Sequence, residues 1–228
     1  MAEFLKRHPG PALEVGSGSG RLMFPLVEAG FEIEGLELSP DMRALGRMRA
    51  ERLGVEPVVH DGDMTVWDGG RRYASVLAPA FTLQLAADPE TALRHWHDLL
   101  EPGGGLYLTV FMPHAELQGD LPENEWYPDR RVTLPDGREG ILETRHWLER
   151  DKQIVHREHR YSLSGNTPAS HESKQTIRWI EHPEMLSLLE DCGFRMERFC
   201  LDFDPRLGEP DAKSGESNGI HTYQAVRL

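Results

Sequence analysis

The chain has 228 residues, of which 39% are hydrophobic and 28% charged, and this balance fits one globular domain with its own core. Its formal net charge of −13 disfavours nucleic acid as a partner, because binding to phosphates requires a positive surface. Two cysteines exclude a disulfide framework, and with neither a signal peptide nor a membrane-spanning run in the sequence we expect a cytoplasmic protein without a membrane partner.

The first half of the chain alternates between strand and helix patterns. Strands are predicted at 12–15, 31–38, 55–60, 73–78 and 106–112, and helices at 21–29, 42–53 and 91–100. Ser39 and Asp88 are each followed by a proline and an acidic residue, which is typical of a helix start. Strands separated by helices of this length predict an α/β fold with a doubly wound, mostly parallel sheet.

The pattern changes after the fifth predicted strand. Three β-rich stretches at 141–150, 153–163 and 172–180 predict an antiparallel meander. We expect this meander to be a cap inserted over about 113–181 into a single domain spanning residues 1–228. A last helix at 185–191, capped by His182-Pro183-Glu184, and closing strands at 194–203 and 220–228 complete the prediction, with a polar loop at 204–219.

The stretch LEVGSGSG at 13–20 joins the first predicted strand to the first helix. A dinucleotide fingerprint has glycines at its first, third and sixth places, whereas here Gly16 and Gly18 are followed by Arg21 at the sixth place. Glu14 lies just before the glycines, where its carboxylate would repel a pyrophosphate but can accept a hydrogen bond from an ammonium group. A nicotinamide-dependent oxidoreductase is therefore the least favoured of our hypotheses.

Four motifs occur in an order that resembles the class I S-adenosylmethionine-dependent methyltransferases of the small-molecule branch. They are the glycine loop, Glu37 at the end of the second strand, the acidic loop 61–64 and the stretch 99–104 before the fifth strand. The resemblance implies a Rossmann-like fold, S-adenosyl-L-methionine as the methyl donor and S-adenosyl-L-homocysteine as the product.

The resemblance also implies which residues would bind the donor. Glu37 is expected to accept hydrogen bonds from the ribose hydroxyls, Asp63 to accept one from the adenine amino group, and Met64 to pack on the adenine ring. The alternative is that Glu37 and Asp63 are solvated acids at strand ends. The full predicted set is Glu14, Gly16, Ser17, Gly18, Gly20, Arg21, Glu37, Leu38, Met42, Gly62, Asp63, Met64 and Ala78.

Two residues are candidates for catalysis. His114 follows the fifth strand at its carboxyl end, where a histidine can serve as a general base, although it can equally be a surface loop residue. Tyr127 lies in the cap beside Trp126 and forms either an aromatic wall of the site or part of the cap's packing. Phe81, after the fourth strand, stands where relatives often carry a polar residue. The histidines form no tight cluster, so no metal site is predicted.

The favoured hypothesis is an enzyme that transfers a methyl group to an oxygen, nitrogen or sulfur nucleophile of a small metabolite. A methyltransferase acting on a protein is one alternative. Another is a sensory protein that binds S-adenosylmethionine without catalysis and uses the cap for dimerisation. A homodimer is compatible with each of these.

Overall fold

The computed structural model describes residues 1–134, 136–165, 169–204 and 219–228. The chain divides into two compact units: Met1–Phe111 with Glu181–Leu228, and Met112–Ile180. The second unit, Met112–Ile180, has almost the same bounds as the expected cap at about 113–181. That the chain forms a single domain stays a prediction, and the predicted polar loop at 204–219 lies mostly outside the described residues.

The elements follow in chain order. They are α1 (Ala2–Arg7), β1 (Ala12–Val15), α2 (Met23–Glu28), β2 (Ile33–Glu37), α3 (Pro40–Leu53), β3 (Val59–Asp61), β4 (Tyr73–Ala78), a 3-10 turn (Thr82–Leu85), α4 (Pro89–Leu99), β5 (Leu100–Phe111), α5 (His114–Gln118), β6 (Tyr127–Thr133), β7 (Glu139–Glu149), a second 3-10 turn (Arg150–Lys152), β8 (Ile154–Leu163), β9 (Ala169–Arg178), α6 (His182–Asp191), β10 (Phe194–Leu201) and β11 (Ile220–Arg227).

The first unit is built on a seven-stranded sheet in the order β10-β11-β5-β4-β1-β2-β3. Strand β11 runs antiparallel to both of its neighbours, whereas β1 to β5 pair in parallel. Strands β1 and β4 are buried along their whole length, as expected for apolar central strands with both faces covered. The predicted α/β class with a doubly wound, mostly parallel sheet is confirmed.

Side-chain caps start two of the helices that follow these strands. The Ser39 hydroxyl accepts a hydrogen bond from the Met42 amide at the start of α3, and the Asp88 carboxylate accepts one from the Glu90 amide at the start of α4. The predicted cap of α6 is wrong: the helix already begins at His182, and its N-cap residue Glu181 makes no side-chain cap hydrogen bond. Both helices with side-chain caps begin at the carboxyl edge of the sheet.

The second unit contains an antiparallel sheet in the order β6-β7-β8-β9. Strand β6 was not predicted, because its sequence YPDRRVT lacks an apolar alternation and its residues are mostly exposed. One end of this unit packs around a small core of Met112, Val155, Ile177 and Trp179. Among the residues that the structure describes, no helix combines the length and apolar character needed to cross a membrane.

Candidate functional site

A cavity of about 690 Å³ opens in the first unit where β1, β2 and β3 end. Its volume lies within the range of roughly 300–1,000 Å³ that is usual for small-molecule sites. Carboxyl ends of strands in an open α/β sheet are where ligands bind in such folds. The predicted residues that line the cavity are Gly16, Gly18, Glu37, Leu38, Met42, Gly62, Asp63 and Met64.

The rest of the lining comes mainly from residues that were not predicted. It includes Thr65 and the segment between β4 and α4, from which Ala80, Thr82, Leu85, Ala86, Ala87 and Asp88 contribute. The only sequence signal for this segment is its position after a buried parallel strand, at the edge where ligands bind. Leu36 and Thr91 complete the lining.

The glycine loop requires glycine for two different reasons. Gly16, Gly18 and Gly20 all have positive φ angles, of 65°, 57° and 71°. A Cβ atom on Gly16 would lie 2.7 Å from the Thr82 methyl group, so this glycine lets the loop approach the cavity wall. A Cβ atom on Gly20 would lie 2.2 Å from the Phe24 ring. Gly20 therefore serves the packing of α2 beneath the loop.

The carboxylate of Glu37 is held rigidly at the edge of the cavity. Its Oε2 atom accepts a hydrogen bond from the Gly18 amide at 2.7 Å, and its Oε1 atom accepts one from the Ser39 amide at 2.8 Å. Each carboxylate oxygen has two lone-pair directions, so both oxygens keep the capacity to accept a second hydrogen bond. A pair of neighbouring hydroxyl groups matches that capacity.

Arg43 fixes the turn that carries Glu37. Its guanidinium donates hydrogen bonds to the carbonyl oxygens of Glu37 and Leu38, at 2.7 and 2.9 Å. It also binds both carboxylate oxygens of Asp61, at 2.6 and 2.7 Å. Such a two-point pair defines orientation as well as distance, so Arg43 connects the end of β2 to the end of β3. No local sequence pattern marks this residue as part of the site.

The acidic loop after β3 is ordered by its own hydrogen bonds. Asp63 Oδ1 accepts hydrogen bonds from the amide and hydroxyl of Thr65, at 2.8 and 2.7 Å. These bonds lower the pKa of Asp63, which is therefore an ionised acceptor at neutral pH. The carbonyl oxygen of Met64 accepts a hydrogen bond from the indole of buried Trp96 at 3.0 Å, which fixes the loop against α4.

Glu14 is a buried carboxyl group immediately before the glycine loop. Only 2% of its surface is exposed, and burial raises its pKa to about 8 even though the charge of Arg21 opposes the shift. Within the described part of the chain, its Oε2 atom has no hydrogen-bond partner. A buried acceptor without a partner is costly, so Glu14 either holds a proton or awaits a donor.

The remaining predicted residues surround the cavity without belonging to its lining. Ser17 is buried and its amide donates a hydrogen bond to Leu36. Ala78 is buried at the end of β4, and Arg21 is exposed. Ser17 and Ala78 are therefore buried next to the cavity and do not form its surface.

Three large apolar side chains lie open in the cavity. Leu38, Met42 and Leu85 are 61%, 38% and 51% exposed although they line a concave surface. Apolar area left open in a cavity, next to hydrogen-bond acceptors such as Glu37 and Asp63, fits a ligand with both a flat apolar part and hydroxyl or amino groups.

The two predicted catalytic residues belong to the second unit. His114 is the first residue of α5, and its Nε2 atom is buried and without a hydrogen-bond partner among the described residues. Tyr127 is the first residue of β6, and its hydroxyl lies 3.4 Å from His146 Nδ1. Burial, aided by the charge of Glu116, raises the pKa of Tyr127 to about 12, so its phenol keeps its proton at neutral pH.

A group of buried polar residues surrounds Tyr127 in this unit. His146 is fully buried, and burial lowers its pKa, which keeps its imidazole neutral. The carboxylate of Glu116, also buried, forms an ion pair with Arg157. This arrangement holds the Tyr127 ring in place, and sequence reasoning found neither His146 nor Glu116. Over the ranges that the structure describes, no group of three His, Cys, Asp or Glu residues is arranged to hold a metal ion.

Comparison with known proteins gives a match for the segment that builds the cavity. Residues 12–104 match the family described as methyltransferase domain. A ubiquinone biosynthesis O-methyltransferase from Ruegeria pomeroyi is 32% identical over 93 residues, which are 40% of this chain and 37% of that protein. A dTDP-3-amino-3,6-dideoxy-alpha-D-glucopyranose N,N-dimethyltransferase from Streptomyces fradiae is 37% identical over 79 residues, 33% of this chain and 29% of that protein.

A solved structure resembles nearly the whole chain. The S-adenosylmethionine-dependent methyltransferase from Clostridium acetobutylicum superposes with a TM-score of 0.82 at 12% identity, covering 99% of this chain and 88% of that one. At this identity the likeness shows a shared fold. The chain spans no more than half the length of the curated relatives it matches, and the family match ends before the second unit begins.

Proposed function

We propose that the whole protein is an S-adenosylmethionine-dependent methyltransferase, because residues 12–104 match the methyltransferase-domain family and the chain shares the fold of such an enzyme. Its acceptor is proposed to be a small metabolite with an oxygen, nitrogen or sulfur nucleophile. The observation that carries the proposal is the double anchoring of the Glu37 carboxylate by the Gly18 and Ser39 amides at the cavity edge.

The residues present fit S-adenosylmethionine. Glu37 offers two fixed oxygens to a pair of ribose hydroxyls, and ionised Asp63 offers an acceptor to the adenine amino group. The open side chains of Leu38 and Met42 supply apolar surface for a purine ring. Glu14, whose Oε2 atom has no partner in the described part of the chain, is proposed to accept a hydrogen bond from the ammonium group of the donor.

The donor supplies, when bound, a methyl group already activated by a sulfonium centre. The work left to the protein is to hold the acceptor in line with that group and to exclude water. His114 and Tyr127 are proposed to contact the acceptor. A base is needed only when the nucleophile carries a proton at the working pH. His114, whose Nε2 atom has no hydrogen-bond partner among the described residues, is the candidate for that role.

The proposal of a small-molecule acceptor rests on two observations. The relatives matched by the chain include an O-methyltransferase and an amino-sugar N,N-dimethyltransferase. The net charge of −13 opposes binding to nucleic acid. A cytoplasmic location and a homodimeric state are parts of the same proposal.

A methyl-transfer assay tests this function. The protein is incubated with tritiated S-adenosylmethionine and a panel of phenols, amines, amino sugars and thiols, and the transfer of label is measured. Label in at least one acceptor, lost in Glu37→Ala and retained in Glu28→Gln, would support the proposal; Glu28 is exposed at the end of α2. Binding of S-adenosylhomocysteine with no transfer to any acceptor would favour a sensory protein instead.

A further inference from the structure

In the turn between β4 and α4, two consecutive residues have a backbone conformation that residues other than glycine rarely adopt. Ala80 and Phe81 have φ angles of 53° and 68°, in the left-handed region that favours glycine. A bulky residue such as phenylalanine is seldom placed there without a role for its side chain. The surrounding structure must therefore impose this conformation.

The contacts that hold the turn in this conformation are made by Gln84 and the end of β5. The buried side-chain amide of Gln84 donates a hydrogen bond to the Phe111 carbonyl at 2.9 Å and accepts one from the Phe111 amide at 2.6 Å. Thr82 adds a hydrogen bond from its hydroxyl to the Pro79 carbonyl at 2.6 Å. Together these bonds clamp the turn against the carboxyl end of β5.

The clamp places the Phe81 ring against the Phe111 ring, beside the cavity. The two ring centroids are 5.3 Å apart at an interplanar angle of 51°, a favourable aromatic arrangement. Ala80 and Thr82, on either side of Phe81 in the chain, both line the cavity, and the Thr82 methyl group approaches Gly16. Phe81 and Phe111 are both only partly buried.

We infer that the Phe81–Phe111 pair is the specificity surface for the methyl acceptor, and that the acceptor is a small aromatic compound, such as a phenol, whose ring packs on this pair. The inference rests on the proposed methyltransferase function. Two phenylalanine side chains offer ring faces and edges but no hydrogen-bond partner. A flat aromatic ring can therefore pack on the pair without leaving any polar group of its own unpaired.

Calorimetric titration with catechol and with glucosamine tests the inference, on ligand-free protein and on protein saturated with S-adenosylhomocysteine. Three variants are compared with the wild type. Phe81→Asn removes the ring but tolerates the left-handed backbone, and Phe81→Tyr keeps the ring. Phe203→Asn is the matched control, because Phe203 is an exposed phenylalanine with a φ angle of 62°.

The expected result is that catechol binds the wild type and glucosamine does not. The Kd for catechol should rise about tenfold in Phe81→Asn, a loss in the range of one aromatic pair, and stay unchanged in Phe81→Tyr and Phe203→Asn. Absence of catechol binding to the wild type, equal affinity in Phe81→Asn, or preference for glucosamine would each overturn the inference.

The S-adenosylhomocysteine titration of the same samples separates this inference from the proposed function. If S-adenosylhomocysteine does not bind, the proposed function fails, while catechol binding to the ligand-free protein still decides the role of Phe81. Unchanged S-adenosylhomocysteine affinity in Phe81→Asn is expected, because the residue acts on the acceptor alone.

Discussion

The carboxylate of Glu37 accepts a hydrogen bond from the backbone amide of Gly18 at 2.7 Å and thereby joins the end of β2 to the glycine loop after β1. The two residues border the same cavity from neighbouring strands. The hydrogen bond therefore couples the position of the glycine loop to the position of the Glu37 carboxylate.

Replacing Glu37 by glutamine tests this feature. A glutamine amide has one acceptor oxygen, so its NH₂ group must face either the Gly18 amide or the Ser39 amide, both of which are donors. The Kd for S-adenosylhomocysteine, measured by calorimetry, should rise roughly 10- to 100-fold, as expected for lost hydrogen bonds to a charged group. Glu28→Gln serves as the control, and an unchanged Kd in Glu37→Gln would refute the role given to this carboxylate.

Alanine substitutions in the glycine loop should separate packing from backbone strain. Gly20→Ala places a methyl group 2.2 Å from the Phe24 ring, whereas Gly30→Ala has a similar positive φ angle of 85° and nothing within 4 Å. The free energy of unfolding in urea should fall further in Gly20→Ala, by about 1–3 kcal/mol more, because a clash is added to the strain. An equal loss of unfolding free energy in the two variants would show that the Phe24 ring moves aside at little cost.

The stability of the protein should depend on pH through Glu14. Its pKa is raised by burial from an ordinary value of 4.5 to about 8, so the folded state keeps a proton that the unfolded state loses. This contribution to stability is complete below pH 4.5 and is lost as pH rises through about 8. Between these two pH values, the free energy of unfolding of the wild type should fall relative to that of Glu14→Gln by about 1.4 kcal/mol per pH unit, because glutamine does not titrate.

Urea unfolding of Glu14→Gln and wild type at several pH values measures this difference. Parallel pH dependences for the two proteins would mean that Glu14 is ionised in the folded state. Glu28→Gln, at an exposed site, should follow the wild type throughout.

Substitutions of the two proposed catalytic residues should lower the rate of methyl transfer. His114→Ala is expected to reduce kcat/KM by about 10²–10⁴ where the acceptor must lose a proton, the usual contribution of a general base. Tyr127→Phe removes the hydroxyl that lies near His146 and should also reduce kcat/KM. Both effects are measured with the acceptor found in the labelling assay.

His171→Ala, at an exposed strand position, is the control for these two variants. If His114→Ala and Tyr127→Phe both retain the wild-type kcat/KM, neither residue takes part in catalysis.

Local sequence patterns predicted the central part of the fold well. Strands β1 and β4 are short, mostly apolar segments, and the Ser39 and Asp88 caps mark the helices that follow β2 and β4. Strand β5 was predicted too short because Glu101-Pro102-Gly103-Gly104-Gly105 has the composition of a turn. In the structure β5 begins at Leu100, where it pairs with Tyr73, and Gly105 pairs with Val226 of β11. Such pairings between distant segments leave no local signal.

The candidate site divides in the same way. Glu37 and Asp63 were predicted because the order of the motifs resembles that of the class I S-adenosylmethionine-dependent methyltransferases, and both line the cavity. The residues directly after β4 were expected at this edge, whereas Leu85, Ala86, Ala87 and Asp88 were not predicted to line the cavity, because the turn before them is held by the Gln84 clamp to β5. Arg43 was not predicted either, because it lies on α3 and its partner Asp61 lies on β3, 18 residues further along the chain.

The measurement that tests the central claim most directly is a thermal-denaturation titration of the purified protein with S-adenosylhomocysteine and, in parallel, with NADH. A ligand present at about 100 times its Kd adds roughly 2.7 kcal/mol to stability, enough to raise the Tm by a few degrees. We predict that S-adenosylhomocysteine raises the Tm of the wild type, that the rise is much smaller in Glu37→Gln, and that NADH has no effect. A rise with NADH alone, or no rise with S-adenosylhomocysteine, would contradict the assignment of the cavity.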